Sequence, residues 1–268
     1  MNKTLIGATL AAMLLTACAT TPPKLLSAPP AASGGYTLAR APGVDVTSHM
    51  VRHLDKDKNI LYTQAAGGGG VGMGLLLGPL GVLANVKMIE TRTGADVALL
   101  NDKVAVLPRA LFAEAVQKNG LVLGSAPQSQ RATPYLYIAK SEGDKLLVFS
   151  SLIMESGGAD KWVGTYQYQL PVSYSVAELS SLDGAGAKTL RDAAADGFDR
   201  LVKRLAGEKQ ERIDQEQKIL FHSRFLQPML DVEMTGALIA DEGEVIWVRN
   251  PGSVIALRKA NIRYKLNQ

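Results

Sequence analysis

The chain has few of the residues that build covalently linked or metal-held folds. Its 268 residues include a single cysteine, Cys18, and only three histidines. An internal disulfide and a thiolate metal cluster are therefore excluded. Aromatic residues make up 6% of the chain, and 29 Lys and Arg against 25 Asp and Glu leave a net charge of +4. This balance is too even to indicate a nucleic-acid partner.

Catalytic signatures are also missing. The sequence contains no G-x-S-x-G, S-x-x-K or H-E-x-x-H motif and no acidic calcium loop. His49 and His53 are four residues apart, but a metal site needs further ligands, and their polar flanks favour a surface pair. His222 is expected to be a half-buried structural residue. We therefore predict a protein that is not an enzyme and has no cofactor and no metal site, with an unrecognised hydrolase as an alternative.

The N-terminus has the pattern of an export signal. Lys3 is followed by the uncharged, mostly apolar run Leu5–Leu15. That run is too short to span a bilayer, which takes about 20 residues in a helix. It suits the apolar region of a signal peptide, and we assign residues 1–17 to one.

Leu15-Thr16-Ala17-Cys18 follows the apolar run directly and resembles the lipobox of bacterial lipoproteins. The resemblance implies cleavage before Cys18, diacylation of its sulfur and acylation of the new amine. Two or more acyl chains anchor a protein stably where one does not. Ala19 stands where an aspartate would imply inner-membrane retention, so the resemblance implies a periplasm-facing outer-membrane lipoprotein. The alternative is an ordinary cleavable signal with a chance cysteine.

Residues 19–35 have the composition of a tether. They include four prolines and two glycines among small residues, and such chain favours extended conformations over a packed core. At about 3.1 Å per residue this tether would reach roughly 50 Å. We divide the rest of the chain into a main domain, residues 36–207, and a charged connector with a β-rich segment, residues 208–268.

The main domain alternates helix and strand signals in an order that predicts an α+β fold. A hairpin with a charged turn is expected over residues 50–64, and Pro108 begins a helix that ends at Asn119-Gly120. Three strand signals lie between residues 135 and 170, and a long helix follows over residues 187–206. We therefore predict an antiparallel or mixed sheet with helices on one face, plus a short C-terminal β-rich segment.

A glycine-rich, uncharged segment spans residues 67–86. Gly70, Gly74 and Gly78 share one face if the segment is helical, which is the small-residue spacing used for close helix contacts in lipid. Its glycines and Pro79 oppose an isolated helix by roughly 11 kcal/mol. An apolar loop, a membrane-dipping or self-associating segment and a weak G-x-G-x-x-G nucleotide match all remain open, and the first is favoured.

Two further patterns are candidates for a binding surface. Trp162, Tyr166 and Tyr168 share one face of a predicted strand, where they form either core or an exposed interface patch. A C-terminal set of basic residues is either a surface for anionic groups or the polar face of strands. It comprises Arg249, Arg258, Lys259, Arg263 and Lys265.

These patterns together predict a lipid-anchored envelope protein that acts by binding rather than catalysis. Its expected partners are the membrane, through the N-terminal lipid, and an unidentified envelope protein. Homo-oligomers built on the glycine-rich segment are the alternative.

Overall fold

The computed structural model describes residues 24–30, 35–43, 51–64, 93–124, 129–140, 144–156, 161–223 and 233–267. Cys18 and the three glycines Gly70, Gly74 and Gly78 lie outside the described residues, as does His49. None of the helices in the described ranges is long and apolar enough to cross a membrane.

The described residues form strands and helices in nearly the predicted order, together with a helical segment over residues 93–100. The helices are α1 Pro108–Lys118, α2 Val176–Ser180, α3 Gly184–Ala206 and α4 Gln210–Ile213. The strands are β1 Tyr36–Leu38, β2 Val51–Asp55, β3 Ile60–Gln64, β4 Gln130–Lys140, β5 Leu146–Glu155, β6 Val163–Tyr174, β7 Gln217–His222, β8 Met234–Glu242, β9 Val245–Arg249, β10 Ser253–Arg258 and β11 Arg263–Leu266.

All described strands belong to one mixed sheet of 11 strands, in the order β11-β7-β8-β9-β10-β6-β5-β4-β3-β2, with β1 also paired to β4. Most neighbours are antiparallel, whereas β1 and β3 run parallel to β4 and β10 runs parallel to β6. The sequence left open whether the C-terminal strands form a separate unit. The β6–β10 pairing makes them a continuation of the main sheet.

The predicted α+β architecture, with helices on one face of the sheet, is confirmed. Alternate residues of β5 point to opposite faces of the sheet. Leu146, Val148 and Leu152 join the core beneath the helices, whereas Leu147 and Phe149 join a second apolar cluster on the other face. Every residue of β5 is buried, because both faces of this central strand are covered.

Helices α1 and α3 pack together over that core through their apolar faces. Phe112 of α1 contacts Phe198 of α3 edge to face, with ring centroids 6.4 Å apart. Ser175 and Glu178 form a capping box at α2, and the Asp183 side chain accepts from the Gly186 amide at the start of α3. These caps satisfy amide groups that have no partner within the helix.

A buried carboxylate joins the two helices. Asp199 of α3 accepts hydrogen bonds from Asn119 at the end of α1 and from Lys203, both at 2.8 Å, and lies 3.2 Å from the ammonium of Lys118. Burial raises the pKa of Asp199, but the hydrogen bonds from Lys203, Asn119 and Lys118 outweigh it and lower the pKa from 3.8 to about 2.

We expect Asp199→Asn to lower the free energy of unfolding by about 2 kcal/mol at pH 7, because hydrogen bonds to a charged group are lost. Since the folded-state pKa is depressed, this contribution is present above pH 3.8 and is lost as the pH falls through about 2. Urea unfolding of both proteins between pH 7 and pH 2 measures this difference. Asp196→Asn, on the exposed face of the same helix, is the control and should cost less than about 0.5 kcal/mol. A constant difference between the Asp199 variant and wild type down to pH 2 would contradict the assignment.

Candidate functional site

Residues 24–30, which we call the strap, lie against the folded body. The composition of residues 19–35 predicted a free tether, and this part of it is docked instead. The strap is held by hydrogen bonds at successive residues. The Leu26 amide donates to the Asn250 carbonyl at 3.0 Å, and the Ala28 amide donates to the Gln210 side chain at 3.1 Å. At the far end of the strap, the Gln130 side chain donates to the Pro30 carbonyl.

A small hydrophobic pocket receives the side chain of Leu26, which is 5% exposed. Gly164 of β6 makes room for it, because a Cβ there would lie 3.1 Å from Leu26 Cδ2 and 2.7 Å from Trp162 Cη2. The Trp162 indole lies beside Leu26 and donates through Nε1 to the Ser27 carbonyl at 3.2 Å. Glycine inside a strand often marks this kind of close approach.

A buried ion cluster lies beneath the strap. Arg249, at the end of β9, has a fully buried side chain that binds Glu216 through two hydrogen bonds of 2.8 Å and lies 2.7 Å from Glu208. Its Nη1 also donates to the Leu26 carbonyl at 3.3 Å. Burial raises the pKa of Glu208 despite the neighbouring guanidinium. The strap is therefore tied directly to the most buried charge of the described residues.

We expect Gly164→Ala to loosen the strap, because the added methyl forces the Trp162 indole to move away from Ser27. Trypsin cleavage after Lys24 reports this, since a protease cuts segments that open from the fold. If the substitution weakens the free energy of strap docking by about 1.4 kcal/mol, the cleavage rate should rise about 10-fold. Gly252→Ala is the matched control, because nothing lies within 4 Å of a Cβ at that position. Equal cleavage rates in wild type and Gly164→Ala would show that the strap does not depend on this pocket.

A charged groove of about 430 Å³ runs along the last turns of α3. Arg204 lies 4.6 Å above the Trp247 ring and 3.0 Å from Glu242, and the Trp247 indole also donates to Glu242 at 3.0 Å. One turn earlier, Arg200 lies 5.4 Å from the Tyr168 ring centroid. The groove is lined by Asp196, Asp199, Arg200, Lys203, Arg204, Gly207, Arg212, Glu242 and Trp247.

The groove is lined by one more cation than carboxylates, and the cation without a paired carboxylate among the described residues is Arg212. Its acidic residues are engaged, since Asp196 pairs with Arg200, Asp199 with Lys203 and Glu242 with Arg204. Arg212, from α4, is exposed and has no ion pair with another described residue. Guanidinium groups held over aromatic rings can still donate hydrogen bonds from their edges to carboxylates, phosphates or carbonyls. The arrangement suits recognition of a polar, anion-bearing surface.

The predicted aromatic patch is mostly core. Tyr166 and Tyr168 are buried under the helices, and only Trp162 is partly exposed, where it contacts the strap. Burial raises the pKa of both tyrosines. Of the two interpretations of this strand face, the structure therefore favours core for the tyrosines. Trp162 has a distinct role as a contact for residues 24–30.

The C-terminal basic set does not form one surface. Arg249 is buried and paired, whereas Arg258 is half-buried, and Lys259 and Lys265 pair with Asp241 and Glu233. The reason is their position in the sheet: Arg249 falls on the face beneath the helices. His53 is exposed, and His222 is half-buried beside Glu233, as predicted.

Sequence reasoning missed the two carboxylates that bind Arg249. The segment that begins at residue 208 was predicted to be a charged connector, but the side chains of Glu208 and Glu216 are nearly buried in it. A signal was present in β9, where Val245, Trp247 and Arg249 alternate onto one apolar face. An arginine on such a face requires buried acidic partners. Gly164, within a strand pattern, was the corresponding signal for the strap pocket.

Comparisons with known proteins do not identify the chain. No family model, no curated protein and no solved structure matches it. Within the described ranges, no group of three or more His, Cys, Asp or Glu residues is placed to hold a metal ion.

Proposed function

We propose that the protein is a lipid-anchored envelope protein whose body is held close to the bilayer and binds a partner without catalysis. The anchor is an acylated Cys18, and the surface that binds the partner is the charged groove. The protein faces the periplasm from the outer membrane. The observation that carries this proposal is the docked strap, because it begins only six residues after the cysteine of the lipobox.

The docked strap supports anchoring for a physical reason. A free tether would let the body sample a large volume, whereas a strap bound at Leu26 shortens the chain available between the anchor and the body. Leu26 follows Cys18 by eight residues, which span at most about 28 Å when fully extended. A partner at the same membrane would then meet the groove within a thin layer, which raises its effective concentration.

The groove supports binding rather than acid–base chemistry. Each carboxylate that lines it is paired with a cation, so none is held free to exchange protons with a substrate. Lys203 and Arg212 are both exposed, and Arg212 has no ion pair with another described residue. Arginine and tryptophan are also the residue types that contribute most to protein interfaces.

Metabolic labelling with a palmitate analogue tests the anchor. The wild-type chain should incorporate the label and fractionate with outer membranes, and Cys18→Ala should do neither. Cys18→Ala combined with Ser33→Cys is the matched control, because it retains one thiol but places it outside the lipobox. Label that survives Cys18→Ala would overturn the anchor.

Photo-crosslinking in living cells tests the groove. A photoreactive residue at Lys203 or Arg212 should give an adduct with one distinct envelope protein, whereas the same residue at Glu114, on the exposed side of α1, should not. Adducts of twice the chain mass would identify self-association instead of a separate partner. Absence of adducts from both groove positions would overturn the binding proposal.

A further inference from the structure

The strap is docked at one end of the sheet, where several strands begin or end together. Strand β6 begins here with Val163, β10 begins with Ser253 and β9 ends with Arg249. The turn that joins β9 to β10 is bonded to β6, since the Thr165 amide donates to the Gly252 carbonyl at 3.1 Å. We call this end of the molecule the strap end.

Among the described exposed charges at the strap end, basic residues outnumber acidic ones, although the carboxylates of Glu211 and Asp214 are also exposed beside Gln210. Lys24 belongs to the strap, Lys161 precedes Trp162, and Lys209 precedes Gln210, the residue that binds Ala28. All three lysines are exposed and have no ion pair with a described residue. Arg131 is also exposed here, next to the Gln130 that binds Pro30, and is partly neutralised by Glu155 at 3.4 Å.

The opposite end of the sheet carries a group of exposed acidic residues. The turn between β8 and β9 carries Asp241, Glu242 and Glu244, all of them exposed. The capping residues Glu178 and Asp183 lie at the same end, at the starts of α2 and α3. An excess of basic groups therefore lies at the strap end. At the other end, which we call the acidic end, Asp241 and Glu242 are partly neutralised by Lys259 and Arg204.

We propose that the strap end is a membrane-facing surface whose lysines contact the phosphates of anionic phospholipid headgroups. This inference rests on the proposed acylation of Cys18, because the short chain between Cys18 and Leu26 is what brings this end to the bilayer. Charge complementarity supports it, since basic residues near an anionic leaflet are attracted and the acidic end is repelled. The acyl chains supply attachment, and the lysines fix the orientation of the body at the membrane surface.

Vesicle binding by the mature chain with Cys18→Ala, which carries no acyl group, tests the surface separately from the anchor. We expect binding to vesicles rich in phosphatidylglycerol, little binding to pure phosphatidylcholine vesicles, and loss of binding in high salt. Lys24→Gln, Lys161→Gln and Lys209→Gln together should lower the partition coefficient about 100-fold, at about fivefold for each lysine.

The matched control is Lys145→Gln, Lys188→Gln and Lys259→Gln, three exposed lysines at or towards the acidic end. This variant has the same net charge as the first and should bind vesicles like the parent chain. Equal loss in the two triple variants, or no binding of the parent to anionic vesicles, would overturn the proposal. Binding to heparin but not to vesicles would also overturn it and would identify an anionic polymer as the ligand.

The two proposals fail in distinguishable ways. If Cys18 is not acylated but vesicle binding depends on the strap-end lysines, the proposed membrane-facing surface is supported and the proposed lipid anchor is wrong. If Cys18 is acylated but the unacylated chain does not bind anionic vesicles, the proposed lipid anchor is supported and the proposed membrane-facing surface is wrong.

Discussion

Arg249→Met should lower the free energy of unfolding by about 3–5 kcal/mol, because it leaves Glu208 and Glu216 buried without their cation. In a chain of this size the melting temperature should fall by about 10 °C. The same change removes the donor to the Leu26 carbonyl, so trypsin should cleave after Lys24 faster than in wild type. Thermal unfolding and limited proteolysis on one preparation measure both effects.

Arg200→Met is the control for this prediction. Arg200 also lies beside a carboxylate and an aromatic ring, but its side chain is 44% exposed, so its loss should cost less than about 1 kcal/mol. Converting the whole cluster, with Arg249→Met, Glu208→Leu and Glu216→Leu, should recover most of the stability, since no buried charge then remains. If the single Arg249→Met variant were as stable as Arg200→Met, water would have access to the carboxylates of Glu208 and Glu216, and the cluster would not be buried.

Gly197→Val should cost about 3 kcal/mol, because it forces the central helix away from the sheet. Gly197 is buried where α3 crosses β5, and a Cβ there would lie 2.6 Å from Ser150 Oγ and 2.9 Å from Ser150 Cβ. The Ser150 hydroxyl also donates to the Ala194 carbonyl at 2.9 Å, so the helix and the strand are in direct polar contact. Denaturant unfolding measures the loss.

Gly184→Val is the matched control, since Gly184 lies in the same helix and nothing is within 4 Å of a Cβ there. It should change stability by less than about 1 kcal/mol. Adding Ser150→Ala to Gly197→Val should restore part of the loss, because it removes the closest atom. If both valine variants were equally stable, the close approach of α3 to β5 would not limit the packing.

Much of the local structure could be predicted because it depends on short-range patterns. Pro108 does begin α1, and the long helix predicted over residues 187–206 is present within α3. Strand β9, Val245–Arg249, lies in the C-terminal segment that was predicted to be β-rich. These patterns act within a few residues, where periodicity and turn chemistry determine which side chains share a face.

The candidate site was harder to predict, because its residues are far apart in the chain. The Arg249 cluster joins residues 26, 208, 216 and 249, and no local pattern relates them. The charged stretch around Glu208 has the composition of a solvated connector, and only contact with the end of β9 places its carboxylates inside. Composition likewise indicated a free tether over residues 19–35, since it does not report that Leu26 has a pocket.

The sequence alone determined the features that depend on order along the chain. These are the α+β class and the positions of the main helices, together with the N-terminal pattern at Cys18 that resembles a lipobox and predicts export. Tertiary structure decided the features that depend on long-range contact. The parallel pairing of β6 with β10 makes one sheet of the described strands, the pocket at Gly164 binds the strap, and Arg249 meets its two buried carboxylates. The physical reason is that burial and electrostatic potential depend on the distance between groups in space, which their spacing in the sequence does not give.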